Sequence, residues 1–168
     1  MYATETGCFR NDKMLPSDAR TLASYFNDFA IDYIQKKNSD EPFFLFISQI
    51  EPHHQNDHRR YEGPDGSKER FRDFTVPGNL VGTEGDWREN YPDYLGQCHS
   101  LDDNVARLVD VLKAKGVWDN TILIYTSDHG SHFRTRNGEY KRACHDGCIH
   151  IPMLAQGRAF TGGKQVDP

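Results

Sequence analysis

The chain has 168 residues, 36% of them hydrophobic and 27% charged, enough for one domain with a real core. Its formal net charge of −5 argues against the basic face that nucleic-acid binding requires. No apolar run reaches the roughly 18 residues of a membrane span, and Met1-Tyr2-Ala3-Thr4-Glu5-Thr6 has neither the basic nor the apolar region of a signal peptide.

Pro16 to Lys37 reads as a helix. Ser17 stands as its N-cap, and Leu22, Tyr25, Phe26, Phe29, Ala30, Tyr33 and Ile34 recur at near-helical spacing. Asn38 to Pro42 is a loop. Phe43-Phe44-Leu45-Phe46-Ile47-Ser48 has the length and composition of a buried strand and ends in the polar cluster Gln49 to His54. From Gln55 to Trp87 the composition turns to Gly, Pro and charge, with a short helix expected at Ser67 to Arg72. An excursion of that length is usually functional or mobile. A second clear helix runs from about Pro92 to Lys115, with Leu101, Val105, Leu108, Val109 and Leu112 as its apolar stripe and Lys113, Lys115 and Gly116 as its end. Thr121-Ile122-Leu123-Ile124-Tyr125 is a second buried strand. Asn137 to His145 is polar, and Ile149 to Ala155 reads as a short third strand. This order predicts an α/β sandwich with a largely parallel sheet. There is no internal repeat and no low-complexity tract.

In open parallel sheets, ligands sit beyond the carboxyl ends of the strands. Asp128 and His129 follow the Thr121 strand there, and an oxygen donor beside a nitrogen donor suggests a divalent metal. By itself, Asp-His-Gly after a strand is more often a polar turn closed by Gly130. His53 ends the Phe43 strand in the same way. The histidines lie between His53 and His150, and His129, His132, His145 and His150 crowd one 22-residue window, which points to metal or anion chemistry there. The four cysteines, Cys8, Cys98, Cys144 and Cys148, do not fix a redox compartment. Cys144 and Cys148 with His145 and His150 look like half of a zinc site, but the spacing is loose and a second pair is missing.

Read together, these segments resemble the sulfatase family of the alkaline-phosphatase-like superfamily. Phe43-Phe44-Leu45 followed by Pro52-His53 looks like the family's apolar strand ending in Pro-His. Leu101-Asp102-Asp103-Asn104-Val105 is similar to its helix signature, and Thr126-Ser127-Asp128-His129-Gly130 to its metal-binding strand end. Lys141, thirteen residues after Asp128, matches the family's lysine and is followed by Ile151-Pro152. Tyr2 to Gly7, Asn11, Leu15-Pro16 and Thr21-Leu22-Ala23 look like the stretch after the nucleophile motif. The resemblance implies a fragment of an α/β/α sandwich with a largely parallel sheet. Residues 1–28 would be a remnant of the N-terminal segment and 29–168 a core segment.

The departures are as informative. The family's nucleophile is a cysteine in Cys-x-Pro/Ala-Ser-Arg, converted to formylglycine, and none of the cysteines here has that context. Met1 looks like an internal methionine. Asn27-Asp28 runs straight into Phe29-Ala30-Ile31, where the family carries a further strand and a Gly-Lys-Trp-His motif, so a deletion near Asp28 is expected. The chain also stops after Gly162-Gly163-Lys164, short of the family's C-terminal part.

The resemblance implies a sulfuric ester hydrolase, with Asp128 and His129 as metal ligands and Lys141 and His53 as catalytic, sulfate-binding groups. His145 and His150 would shape substrate choice, while His54 and His58 read as substrate-side or solvated. The metal would be Ca²⁺, with Mn²⁺ or Zn²⁺ admitted because histidine replaces a common asparagine at position 129. The substrate would be a sulfated small molecule or carbohydrate and the compartment periplasmic or secreted, with activity of the isolated chain unexpected. Two other readings stand beside it. One is a phosphonate or phosphodiester hydrolase of the same superfamily; the other is a non-catalytic α/β module that binds a metal or anion.

Overall fold

A computed structural model describes residues 21–55, 58–160 and 162–165, together with the backbone of three N-terminal strands. Those strands, β1 (Tyr2–Thr4), β2 (Gly7–Arg10) and β3 (Lys13–Met14), form an antiparallel meander in which Ala3 faces Cys8 and Phe9 faces Met14. Ser17, the expected N-cap, and the Asn11 and Leu15-Pro16 positions lie outside the described residues.

Helix α1 spans Leu22–Lys36 and is capped instead by Thr21, whose hydroxyl accepts the Ser24 N–H at 3.3 Å. It runs unbroken through Asp28. Its buried face includes Ala23, Asn27, Ala30 and Ile34, the positions that the helical period places on one side, and Tyr25 is buried on the other. That face packs on α3 (Trp87–Ala114), where Leu108 and Leu112 meet Ala30 and Ile34. The Leu101–Val105 signature serves this contact. Leu101 is buried; the Asn104 amide donates to the Ser100 carbonyl at 2.8 Å, and its oxygen accepts from Arg107 at 3.0 Å. Arg107 in turn reaches Asp28 on α1 at 2.5 Å.

Residues 43–48 lie beside this pair. Phe43, Leu45 and Ile47 pack on the α1–α3 core, while Phe44 and Phe46 face outward. The alternation is that of an extended chain, but the segment has no ladder partner among the described residues. The strand expected from Thr121 to Tyr125 is β4 (Leu123–Thr126), preceded by a 3-10 turn at Trp118–Asn120. It pairs antiparallel with β5 (Met153–Gln156), Leu123 facing Gln156 and Thr126 facing Met153. Every ladder among the described residues is antiparallel. The third strand begins later than expected because Asp146–Ile149 folds as a helical turn, α4, on the His145 carbonyl.

The largest difference from expectation is the excursion between residues 55 and 87. Helix α2 (Ser67–Arg70) packs on α3. Ser67 sits so tightly over Gly96 that a Cβ there would overlap the Ser67 side chain. Asn90 of α3 accepts the Tyr61 N–H at 2.9 Å, and the Gln97 amide donates to the Glu62 carbonyl at 2.9 Å. Tyr61 and Leu80 are then buried with Trp87, Phe133 and Tyr140, flanked by Phe74, Val76, Tyr91 and Tyr94. Each large apolar side chain buried in this way stabilises the fold by roughly 1.5–3 kcal/mol. Helix α3 begins before the expected Pro92 for the same reason: the Asp86 N–H is held by the Phe133 carbonyl at 3.1 Å.

Candidate active site

Two loops leave the strand side of the molecule and meet a third. The first is the turn after residues 43–48, where the His53 N–H donates to the Ile50 carbonyl at 2.9 Å. The Glu51 carboxylate in this turn accepts the Ala23 N–H of α1 at 3.1 Å, and burial pushes its pKa up from the usual carboxylate range. The strand end is thereby tied to the start of a helix.

The second loop follows β4. Asp128 is 86% exposed and accepts the His129 N–H at 3.0 Å. His129 Nδ1 lies 2.8 Å from the Gly130 carbonyl oxygen, which can only accept. The hydrogen therefore sits on Nδ1, and Nε2 keeps its lone pair. That nitrogen is 3.6 Å from Asp128 Oδ2. Gly130 donates its N–H to the Cys148 carbonyl at 2.8 Å, and a Cβ at Gly130 would collide with the Gly147 carbonyl. The glycine is needed for this close approach of two backbones as well as for a turn.

The third loop carries Lys141. Its ammonium donates to His129 Nε2 at 3.0 Å and to His53 Nε2 at 3.3 Å. Burial, then the positive charge of Lys141, lowers the His53 pKa below its usual value, so this ring is neutral at pH 7. Asp128, His129, Lys141 and His53 thus form a continuous polar row, and all four line one open cleft of about 2530 Å³.

His150 also lines the cleft, whereas His145 is exposed at the start of α4 and does not. The histidine-rich window splits by environment. His132 is buried, away from the cleft lining, and its burial lowers its pKa. His58 is exposed and pairs with Glu62 at 2.7 Å, in keeping with a solvated role. His54 is not solvated: it is buried, lines the cleft beside His53 and stacks on Tyr140. Its other aromatic neighbour, Tyr61, comes from the 55–87 excursion, whose contribution to the core has no local periodic signal. Cys144 is exposed and Cys148 buried, and no group of three or more metal-binding side chains occurs among the described residues. Half of a zinc site is therefore not assembled there.

A sequence model of the family described as Sulfatase matches residues 8–158. The chain belongs to the sulfatase family. An uncharacterized sulfatase, YdeN, of Escherichia coli K12 is 28% identical over 160 residues, covering 91% of this chain and 26% of the relative. The N-acetylglucosamine-6-sulfatase of Capra hircus is 27% identical, covering 81% of this chain and 27% of its own length. Among solved structures, the putative sulfatase yidJ of Bacteroides fragilis superposes with a TM-score of 0.67 at 32% identity, over 80% of this chain and 30% of that one. The chain therefore spans about a quarter to a third of the relatives it matches. The structural neighbourhood agrees with a mixed α/β fold of the alkaline-phosphatase-like kind.

Sulfatases generally use a divalent metal and a formylglycine. The donors present fit part of a metal site. The Asp128 carboxylate and His129 Nε2 lie 3.6 Å apart, and the bond from Nδ1 to the Gly130 carbonyl orients the ring as outer-shell partners of metal-bound histidines do; an ion shared by the two would take the Nε2 lone pair that accepts from Lys141 here and release the ammonium from His129. A hard cation takes roughly six to eight oxygen ligands, so these two are a minority of the shell.

Proposed function

We propose that this chain carries the anion-binding and metal-binding portion of a sulfuric ester hydrolase active site, directed at a sulfated carbohydrate. The observation that carries the reading is the Lys141 ammonium held between His53 and His129 at one cleft. Lys141 and His53 contact the sulfate oxygens. Asp128 and His129 hold the divalent cation, Ca²⁺ before Mn²⁺ or Zn²⁺, which when bound supplies positive charge to the sulfate oxygens and the nucleophile. A fixed cationic donor aimed at developing charge is worth roughly 10²- to 10³-fold in rate. His150 stands at the rim, where it contacts the sugar; His145, off the cleft lining, is the weaker specificity candidate.

The sugar substrate is supported by the resemblance to N-acetylglucosamine-6-sulfatase and by the polar row of His53, Lys141, His129 and Asp128 along the cleft. The remaining readings travel with it: residues 1–28 as an N-terminal remnant and 29–168 as a core segment, a largely parallel sheet in the complete α/β/α sandwich, and a periplasmic or secreted compartment. No described helix is long and apolar enough to cross a membrane. None of the four cysteines has the context that formylglycine formation needs, so these 168 residues bind sulfate and do not turn over esters.

The test is to titrate the protein with inorganic sulfate, with and without CaCl₂, and to assay it on aryl and sugar sulfates. Sulfate binding that Lys141→Met removes, without turnover, is the expected result. Binding that is indifferent to Lys141 would sink the anion site. Turnover abolished by Asp128→Ala or Lys141→Ala would sink the assignment of the missing nucleophile.

A further inference from the structure

The Lys141–His53 contact poses a physical problem. Lys141 is an exposed, flexible side chain, and the residues on either side of it, Tyr140 excepted, are exposed or only partly buried. Holding its ammonium at 3.3 Å from a ring on a different loop costs rotamer entropy unless the backbones are already in place. The chain neighbours of the two residues supply that placement. His54 follows His53, Tyr140 precedes Lys141, and their rings stack with centroids 3.6 Å apart and planes inclined by 27°.

Tyr140 is anchored on several sides. Its hydroxyl donates to the Asp86 carboxylate at the start of α3. Its carbonyl accepts the His132 N–H at 2.9 Å, and the Arg134 guanidinium lies 4.6 Å from the centre of its ring. His54 in turn meets Tyr61 edge-on at 5.4 Å. All four residues line the cleft, but both stacked rings are buried, whereas His53 is half-buried and Lys141 exposed.

We propose that His54 and Tyr140 are positioning residues, whose ring stack clamps the His53 loop to the Lys141 loop and so sets the distance between the two anion-binding groups. The proposal rests on the reading of His53 and Lys141 as anion contacts, but the clamp itself is read out without any anion. Donation from Lys141 to Nε2 leaves the His53 hydrogen on Nδ1, so the ring adopts one tautomer while the contact holds.

The experiment uses the 168-residue protein with ¹⁵N-labelled histidine. Ring-nitrogen resonances of His53 are recorded, and inorganic sulfate is titrated in. His54→Leu and Tyr140→Leu are expected to replace the single Nδ1–H tautomer of His53 with an average of both and to weaken sulfate binding about tenfold. His54→Phe and Tyr140→Phe keep an aromatic stack and are expected to retain both properties. Trp87→Leu, in the same aromatic core but away from the cleft lining, lowers the thermal midpoint and leaves the His53 signature unchanged. A folded His54→Leu or Tyr140→Leu protein with the wild-type signature overturns the proposal. So does a Trp87→Leu protein that loses the signature equally, because the effect would then be general loosening of the core. If Tyr140→Leu does not fold, the His54→Leu and His54→Phe pair decides the question. If the unsubstituted protein binds no sulfate, the anion-site reading fails while the tautomer signature still tests the clamp.

Discussion

The two sides of the cleft are built differently. On the aromatic side, Tyr61, Leu80, Trp87, Phe133 and Tyr140 are each at most 8% exposed and pack against one another. On the strand side, Phe44 is 87% exposed, Phe46 79% and Ile122 57%. The loops that hold Lys141 and His54 are therefore stabilised by contacts within this chain. The extended segment 43–48 that leads to His53 and the run from Ile122 through β4 that leads to Asp128 leave Phe44, Phe46, Ile122 and Ile124 exposed. The site's geometry depends more on the aromatic cluster than on the sheet, so substitutions on the two sides should have unequal consequences.

The largest expected effect is at Leu80. Leu80→Ala should cost about 2–5 kcal/mol in urea unfolding, because a fully buried leucine leaves a cavity. The matching change on the strand side, Phe44→Ser, should stay within about 0.5 kcal/mol and should reduce self-association in sedimentation velocity, since it removes exposed apolar surface. Equal costs at the two positions would erase the contrast.

Next in size is Gly130→Ala. The new methyl meets the Gly147 carbonyl, so the β4 loop must move away from α4 at a cost of about 1–3 kcal/mol. The Lys141–His129 contact should open with it, visible as a change in the His129 ring resonances. An alanine variant with wild-type stability and an unchanged His129 signature would mean that the two backbones are not held together as described.

The pH dependence separates two groups on the strand side. The Glu51 pKa is raised by burial, so its contribution to stability is fully present below the usual carboxylate pKa and is lost as pH rises through the folded value. Glu51→Gln should raise the thermal midpoint at pH 7, and the gain should vanish at pH 3. The His53 pKa is lowered, by burial first and the Lys141 charge second. Its contribution is present above the ordinary imidazole pKa of 6.5 and lost as pH falls through the folded value. Lys141→Met should therefore move the His53 pKa part of the way back up in an NMR titration. No movement would show that the ammonium is not near the ring in solution.

The smallest effects are on exposed ion pairs. Arg107→Met, which removes the α1–α3 bridge to Asp28, should cost about 0.2–1 kcal/mol and less at high salt. Lys36→Met, which breaks the exposed pair with Asp32 along α1, should cost about 0.3–0.5 kcal/mol. A larger loss at Lys36 than at Arg107 would mean that the interhelical bridge is solvated away.

The parts of this molecule that were legible in the sequence are those with a short-range signal. The apolar period placed Ala30 and Ile34 on one face of α1 and Leu101, Leu108 and Leu112 on one face of α3, and these residues are buried. The Thr121 to Tyr125 run appears as β4 within two residues, and Asp128 and His129 after it share one cleft with His53 and Lys141, which come from loops. Tertiary contacts decided the rest. Gln55 to Trp87 has no apolar period, yet Tyr61, Phe74, Val76 and Leu80 complete a core whose other members lie far along the chain. Nothing local marks His54 as buried, because its partner Tyr140 comes from another loop. Helix α3 begins before Pro92 because the Phe133 carbonyl holds its first turn. β5 pairs antiparallel with β4, a ladder that composition cannot orient. Local periodicity records which face of an element is apolar; which distant element covers that face is set by packing free energy summed over residues remote in the chain.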